Sequence, residues 1–114
     1  MDHALALLYS PFPSIEAARA AAQSLLVEKL AACCNLIPGV ESHYMWEGVP
    51  TAATEVILIA KTPADQAAAA AARIAALHPY ACPAILTLPA NANAAFALWA
   101  REQTGGRPPF RTGA

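Results

Sequence analysis

The chain has 114 residues, the length of one domain, and a chain of that size buries roughly two thirds of its unfolded surface. Hydrophobic residues make up 57% and charged residues 13%, against about 25% charged for an ordinary soluble domain. The formal charge is −1 and no basic run occurs, which argues against nucleic acid as the partner. No apolar run approaches the ~20 residues of a membrane span.

Ala4–Tyr9 reads as a first strand, apolar on both faces. It is too short for the apolar region of a secretion signal and lacks that signal's basic flank. The Ser-Pro-Phe-Pro-Ser segment from Ser10 to Ser14 is expected to break it. Ser14 can cap a helix whose first turn carries Glu16. Ile15, Ala18, Ala22, Leu25 and Leu26 form that helix's apolar stripe, and it is expected to end near Lys29.

The next strand holds much of the unusual chemistry. It includes Cys33 and Cys34, and Pro38-Gly39 inside it predicts a bulge. Beyond the bulge Val40, Ser42, Tyr44 and Trp46 share one face; Glu41, His43, Met45 and Glu47 share the other. A hairpin tip is expected within Gly48–Ala53, then a third strand over Thr54–Lys61. Thr62-Pro63-Ala64-Asp65 has the pattern of a helix start. Ala67, Ala70, Ala71, Ile74 and Leu77 recur at helical spacing, and His78-Pro79 ends that run. Ala84–Leu88 reads as the fourth strand. Asn93 can cap a last helix carrying Phe96 and Trp99. Residues 1–103 then form the domain and 104–114 an irregular tail with no periodicity.

The order β-α-β-β-α-β plus a terminal helix is the α+β, ferredoxin-like split βαβ arrangement, an antiparallel sheet with two helices on one face. The third and fourth strands are nevertheless apolar at nearly every position, whereas a face left in water alternates with polar residues. A second copy of the chain is therefore expected on the other face. The alternative is that the terminal helix covers it alone.

The combination of Ala31, Ala32, Cys33 and Asn35, then Pro38-Gly39, Tyr44, Trp46-Glu47-Gly48, Lys61-Thr62, His78-Pro79-Tyr80 and Pro83 resembles the CutA divalent-cation-tolerance family from the first strand to Trp99. The resemblance implies a ferredoxin-like homotrimer with sheets packed between subunits. It also implies a link to copper and other divalent cations, and no enzymatic reaction. The chain departs from the family's usual pattern at Ala81 and Ala84, where glutamates are frequent. It departs also at Cys82, at Ser10, where some members have cysteine, and at Leu77, where some have histidine.

Three cysteines and three histidines are soft or borderline ligands suited to copper. No Cys-x-x-Cys or paired-histidine spacing organises them, and adjacent Cys33 and Cys34 on a strand point to opposite faces. An odd number of cysteines, two of them adjacent, does not read as a disulfide framework, which fits a cytoplasmic location. His78, at a helix C-terminus where the dipole favours imidazolium, is the leading ligand candidate. Cys82 lies four residues on, and Cys33 is a further candidate. Such residues most often serve as a backbone-bonded histidine and small apolar fillers. His3 offers a different site: third from the terminal amine of Met1, it could close a square-planar Cu(II) chelate with two backbone amides. Tyr44, Trp46, Glu55, Lys61 and Tyr80 are read as an intersubunit cleft, because charges on a sheet face that meets another subunit need partners. One reading is an intersubunit ion pair. The other is a small anionic ligand bound between subunits, as in the trimeric PII-type signal proteins, though the short hairpin tip leaves no long partner-clamping loop. No nucleophile elbow, phosphate loop or zinc-hydrolase signature occurs.

Overall fold

The computed structural model describes residues 3–105. Four strands and three helices alternate as β1 (Ala4–Phe12), α1 (Ile15–Val27), β2 (Cys33–Trp46), β3 (Val49–Pro63), α2 (Ala67–Leu77), β4 (Leu86–Asn91) and α3 (Ala94–Gln103), with one 3-10 turn at Ala64–Gln66 before α2. The strands form one antiparallel sheet in the order β2-β3-β1-β4. The ferredoxin-like α+β arrangement expected from the order of elements is therefore the fold.

α1 and α2 lie on one face. Their small residues Ala18, Ala21, Ala22 and Ala70 let the helix backbones approach the sheet, and Leu25 and Ile74 fill the remaining space against Leu8, Phe12, Val56, Leu58 and Ala60. Leu26, expected in the stripe, is largely exposed; Ala21 takes that place in the buried row. Ser14 caps α1 as its position suggests, its hydroxyl accepting the Ala17 N–H at 3.1 Å. Arg73 on α2 grips Glu28 at the end of α1 through two bonds of 2.8 and 3.0 Å.

Several boundaries differ from the sequence reading. β1 does not stop at Ser10: it pairs with β3 as far as Phe12 opposite Val56. β4 flanks β1 only from Ala4 to Tyr9, so Pro11 sits where one side of the strand has no ladder, a place that tolerates its missing N–H. β3 begins at Val49, because the hairpin closes through a two-residue turn with Glu47 and Gly48 at φ 49° and 78°. That double left-handed geometry is the hairpin turn matching the strands' own twist. Thr62 and Pro63 belong to the end of β3 rather than to a helix start. Thr62 is fully buried and its hydroxyl donates to the Leu30 carbonyl at 2.8 Å, so its capping atom is taken and α2 waits until Ala67. β4 starts two residues late, since the Ala84 carbonyl accepts the buried Ser10 hydroxyl at 2.7 Å. Asn93 stands at the N-cap of α3 without a side-chain bond. Thr104 ends that helix, its hydroxyl donating to the Ala100 carbonyl at 2.9 Å. The tail from residue 106 lies outside the described residues.

The bulge falls between Ile37 and Val40 as Pro38-Gly39 indicates, with Gly39 at φ 73°. Past it β2 and β3 run on as a two-stranded arm, from Val40 opposite Glu55 to Trp46 opposite Val49. The arm extends about 20 Å at the ordinary strand rise and draws the molecule out to 56 × 23 × 21 Å.

The second sheet face is only partly covered. α3 packs over one end, where Leu5, Ala32 and Ala100 are buried with Ala92 and Phe96 against them. Away from that end Ile37, Tyr44, Trp46, Val49, Leu86 and Leu88 are all exposed, Trp46 to 59%. Within one chain, the terminal helix does not close this face.

Candidate functional site

Strand registry decides which candidates can meet. Cys33 is paired with Lys61, Val40 with Glu55, Tyr44 with Thr51 and Trp46 with Val49. Paired residues share a face. Cys33, Tyr44, Trp46, Glu55 and Lys61 therefore all stand on the open face. Cys34 points the other way, packs against the helices, and sets its Sγ 4.0 Å from the Ala22 carbonyl. Burial, with Cys33 alongside, pushes the Cys34 thiol up to about 11, which keeps it protonated and a poor ligand.

His78 ends α2 as an extended C-cap. Its ring stacks on Phe12 with centroids 4.1 Å apart. Nε2 lies 2.8 Å from the Pro11 carbonyl, and Nδ1 accepts the Tyr80 N–H at 3.2 Å. Those two bonds fix the neutral ring with its proton on Nε2. Burial lowers the His78 pKa, against the opposing pull of the Pro11 carbonyl and the Glu55 charge. Desolvation thus outweighs both of these contributions. Both nitrogens are engaged by backbone, so a metal would have to displace one of these bonds.

Tyr80 carries the constellation onward. Its hydroxyl donates to Glu55 Oε2 at 2.8 Å, and its ring lies 4.9 Å from that of His78. Burial, the Glu55 bond and the nearby Glu55 and Tyr44 groups push the phenol up to about 12. Pro11, Phe12, His78, Tyr80 and Glu55 form one connected chain from the end of β1 to the root of the arm. Glu55 is only 8% exposed. Lys61 lies farther along β3, its ammonium 5.9 Å from the Phe96 ring centroid. The structure thus joins Tyr80 to Glu55, and leaves Lys61 at the other end of the face.

The remaining candidates stand apart. Cys82 is exposed in the loop before β4. The His3 carbonyl accepts the Ala92 N–H at 3.1 Å, while Met1 and Asp2 lie outside the described residues. Among the described residues no three His, Cys, Asp or Glu side chains converge as a metal site. The sequence reading did not single out Pro11 and Phe12, which hold His78. It also missed a shallow groove of about 360 Å³ on the arm, lined by His43, Tyr44, Met45, Pro50, Thr51 and Ala52. At the groove's edge His43 Nε2 and Glu41 Oε2 are 2.6 Å apart, both in solvent.

Comparison with known proteins places this arrangement. The family model described as "CutA1 divalent ion tolerance protein" matches residues 6–103. The chain belongs to the CutA1 divalent ion tolerance family. It is 43% identical over 94 residues to the divalent-cation tolerance protein CutA of Thermus thermophilus, covering 82% of this chain and 91% of that protein. The Archaeoglobus fulgidus CutA is 40% identical over 82 residues, covering 72% and 79%. Among solved structures, CutA1 from Ehrlichia chaffeensis superposes with a TM-score of 0.83 at 40% identity, covering 88% of this chain and 94% of that one. The Archaeoglobus structure, described as a periplasmic divalent cation tolerance protein, gives 0.84 at 36% identity, covering 88% and 98%. The CutA1 match spans both ends of the constellation, from β1 to α3.

Proposed function

We propose that this CutA1 protein serves divalent-cation tolerance as a cytoplasmic homotrimer that binds copper weakly, in a binding rather than a catalytic role. The observation that carries the reading is the open apolar face. An exposed arm bearing Tyr44, Trp46 and Val49 is marginal as an isolated hairpin in water and gains its stability from a covering surface. An apolar patch of this kind marks an interface. The family gives the role in cation tolerance, and three free thiols suit a reducing compartment. Copper is the soft metal that cysteine and histidine favour. The candidate ligands are Cys33, Cys82 and His78 from neighbouring copies, or His3 with a free Met1 amine.

One preparation tests both halves. Light scattering after size exclusion is expected to give about three times the 11.9 kDa chain mass, and a stable monomer at micromolar concentration refutes the assembly. Cu(II) titration of the same untagged sample is expected to saturate in the micromolar range or weaker. Loss of a visible four-nitrogen band in His3→Ala assigns that copper to the terminus; no binding refutes the copper reading.

The Tyr80–Glu55 bond favours a second reading, in which Tyr44, Trp46, Glu55, Lys61 and Tyr80 line a cleft between subunits. Lys61 is the group there that would take a small anionic ligand, in the manner of PII-type proteins. A thermal-shift screen of small phosphates and carboxylates separates this from a purely structural face.

A further inference from the structure

The open sheet face carries, among the described residues, one acid and one base. Arg73 is paired with Glu28 and Arg101 with Asp65. Arg19 and Lys29 lie on α1 and the turn after it. Glu41, opposite Thr54, alternates away from Tyr44 and Trp46 onto the arm's other face, and Glu47 sits in the hairpin turn. Glu16 lies in the first turn of α1 and Glu102 in the last turn of α3. On the strands of this face that leaves Glu55 and Lys61, which alternate in phase with Ile57 and Ile59 on β3.

Neither meets an opposite charge among the described residues. Glu55 Oε2 takes the Tyr80 hydroxyl, and Oε1 has no hydrogen-bond partner among the described residues. Lys61 makes no ion pair there; its ammonium lies 5.9 Å from the Phe96 ring centroid. The two cannot reach each other, because six residues of strand separate them by about 20 Å. Covering such a face with apolar groups alone would strand both charges away from water, at a cost of several kcal/mol per ion. A surface offering a carboxylate at one end and an ammonium at the other satisfies both at once.

We infer that Glu55 accepts the Lys61 ammonium of a second copy of this chain, so that each subunit gives its carboxylate to one contact and its ammonium to another. This rests on the self-association proposed above and names the polar contact that sets its register. Tyr80 is then a positioning residue, holding Oε2 so that Oε1 faces the neighbour. The ammonium beside an aromatic ring retains a partial partner before assembly.

A carbodiimide tests the contact directly. It joins a carboxylate to a primary amine only where they touch, the carboxylate losing one oxygen to the urea by-product as the amide forms. A peptide joining Glu55 to Lys61 must come from two chains, given the distance within one. Light scattering establishes the assembly first. Mass spectrometry of the coupled parent is then expected to find the 55–61 link. Lys61→Arg is expected to abolish the link and keep the assembly's mass and dissociation constant, since guanidinium keeps the ion pair but does not couple. Glu55→Gln, which retains an acceptor for Tyr80, and Lys61→Met are each expected to weaken association tenfold or more, and the double variant no further than the weaker single. An assembled parent without a 55–61 link, or additive losses in the double variant, overturns the pair while leaving self-association standing. A parent that stays monomeric overturns both.

Discussion

His78→Gln is the most informative single change in the constellation. The ring contributes two hydrogen bonds, to the Pro11 carbonyl and from the Tyr80 N–H, and a stack on Phe12. Each bond is worth about 1 kcal/mol and the stack about 1 kcal/mol beyond its buried area. A glutamine recovers at most one of the bonds, so the expected loss at pH 8 is about 2–3 kcal/mol. The pH dependence is the sharper test. Burial lowers the folded pKa of His78 below its ordinary 6.5. Above pH 6.5 neither state holds the extra proton and His78 adds no slope. Below it the unfolded chain takes up a proton the folded chain refuses, and stability falls by up to about 1.4 kcal/mol per pH unit. The decline ends once the folded pKa is passed. Glutamine has no such titration, while His3 and His43 are common to both proteins. Guanidinium unfolding at pH 8, 7, 6 and 5 is therefore expected to show a gap between parent and variant that is constant above about pH 7 and narrows below 6.5. A gap that widens on acidification would mean that the Pro11 carbonyl and the Glu55 charge dominate, and would refute the desolvation argument.

Other consequences are as direct. Glu47 holds φ 49° in the hairpin turn, a conformation that asparagine or glycine adopts at lower cost; Glu47→Asn is expected to raise stability by about 1 kcal/mol in thermal unfolding. Ile74 is fully buried between α2 and the sheet, and Ile74→Ala is expected to cost about 2–5 kcal/mol, read from the denaturant midpoint. Iodoacetamide at pH 7.5 is expected to label exposed Cys82 well before Cys34, whose buried thiol is pushed up to about 11; equal rates by mass spectrometry would show that Cys34 is not held against Ala22. Trp46→Ala removes a side chain that is largely exposed in the single chain, so it is expected to weaken self-association while leaving the circular dichroism of the subunit unchanged.

What could be read from the sequence divides along physical lines. The alternation of Val40, Ser42, Tyr44 and Trp46 was legible because strand periodicity is local, and the bulge because Pro38-Gly39 admits few alternatives. The termini of the elements were not, because non-local pairing sets them. Pro11 looks like a strand breaker until β4 is known to stop short of it. Thr62 has the chemistry of a helix cap, but the Leu30 carbonyl, far away in sequence, claims its hydroxyl. The same holds for the site. Glu55 and Lys61 were legible as charges on an apolar strand face, yet nothing in the spacing shows that Tyr80 reaches Glu55 or that both His78 nitrogens are occupied. Those facts depend on the loop after α2 folding over the end of β1.

The distribution of soft donors makes a stronger argument than their number. Cys34 is turned inward and kept protonated, and the His78 nitrogens are taken by Pro11 and Tyr80. Cys33 stands on the open face, paired with Lys61, and Cys82 lies in an exposed loop. Within the described residues of one chain, nothing brings these donors together. A copper ion held by Cys33 would therefore draw its other ligands from across the same face that Glu55 and Lys61 mark, and its affinity would depend on assembly. A copper ion held at His3 would not. Metal binding that falls away when the subunits are separated by dilution, and is unchanged in His3→Ala, points to the shared face; binding indifferent to dilution points to a single chain.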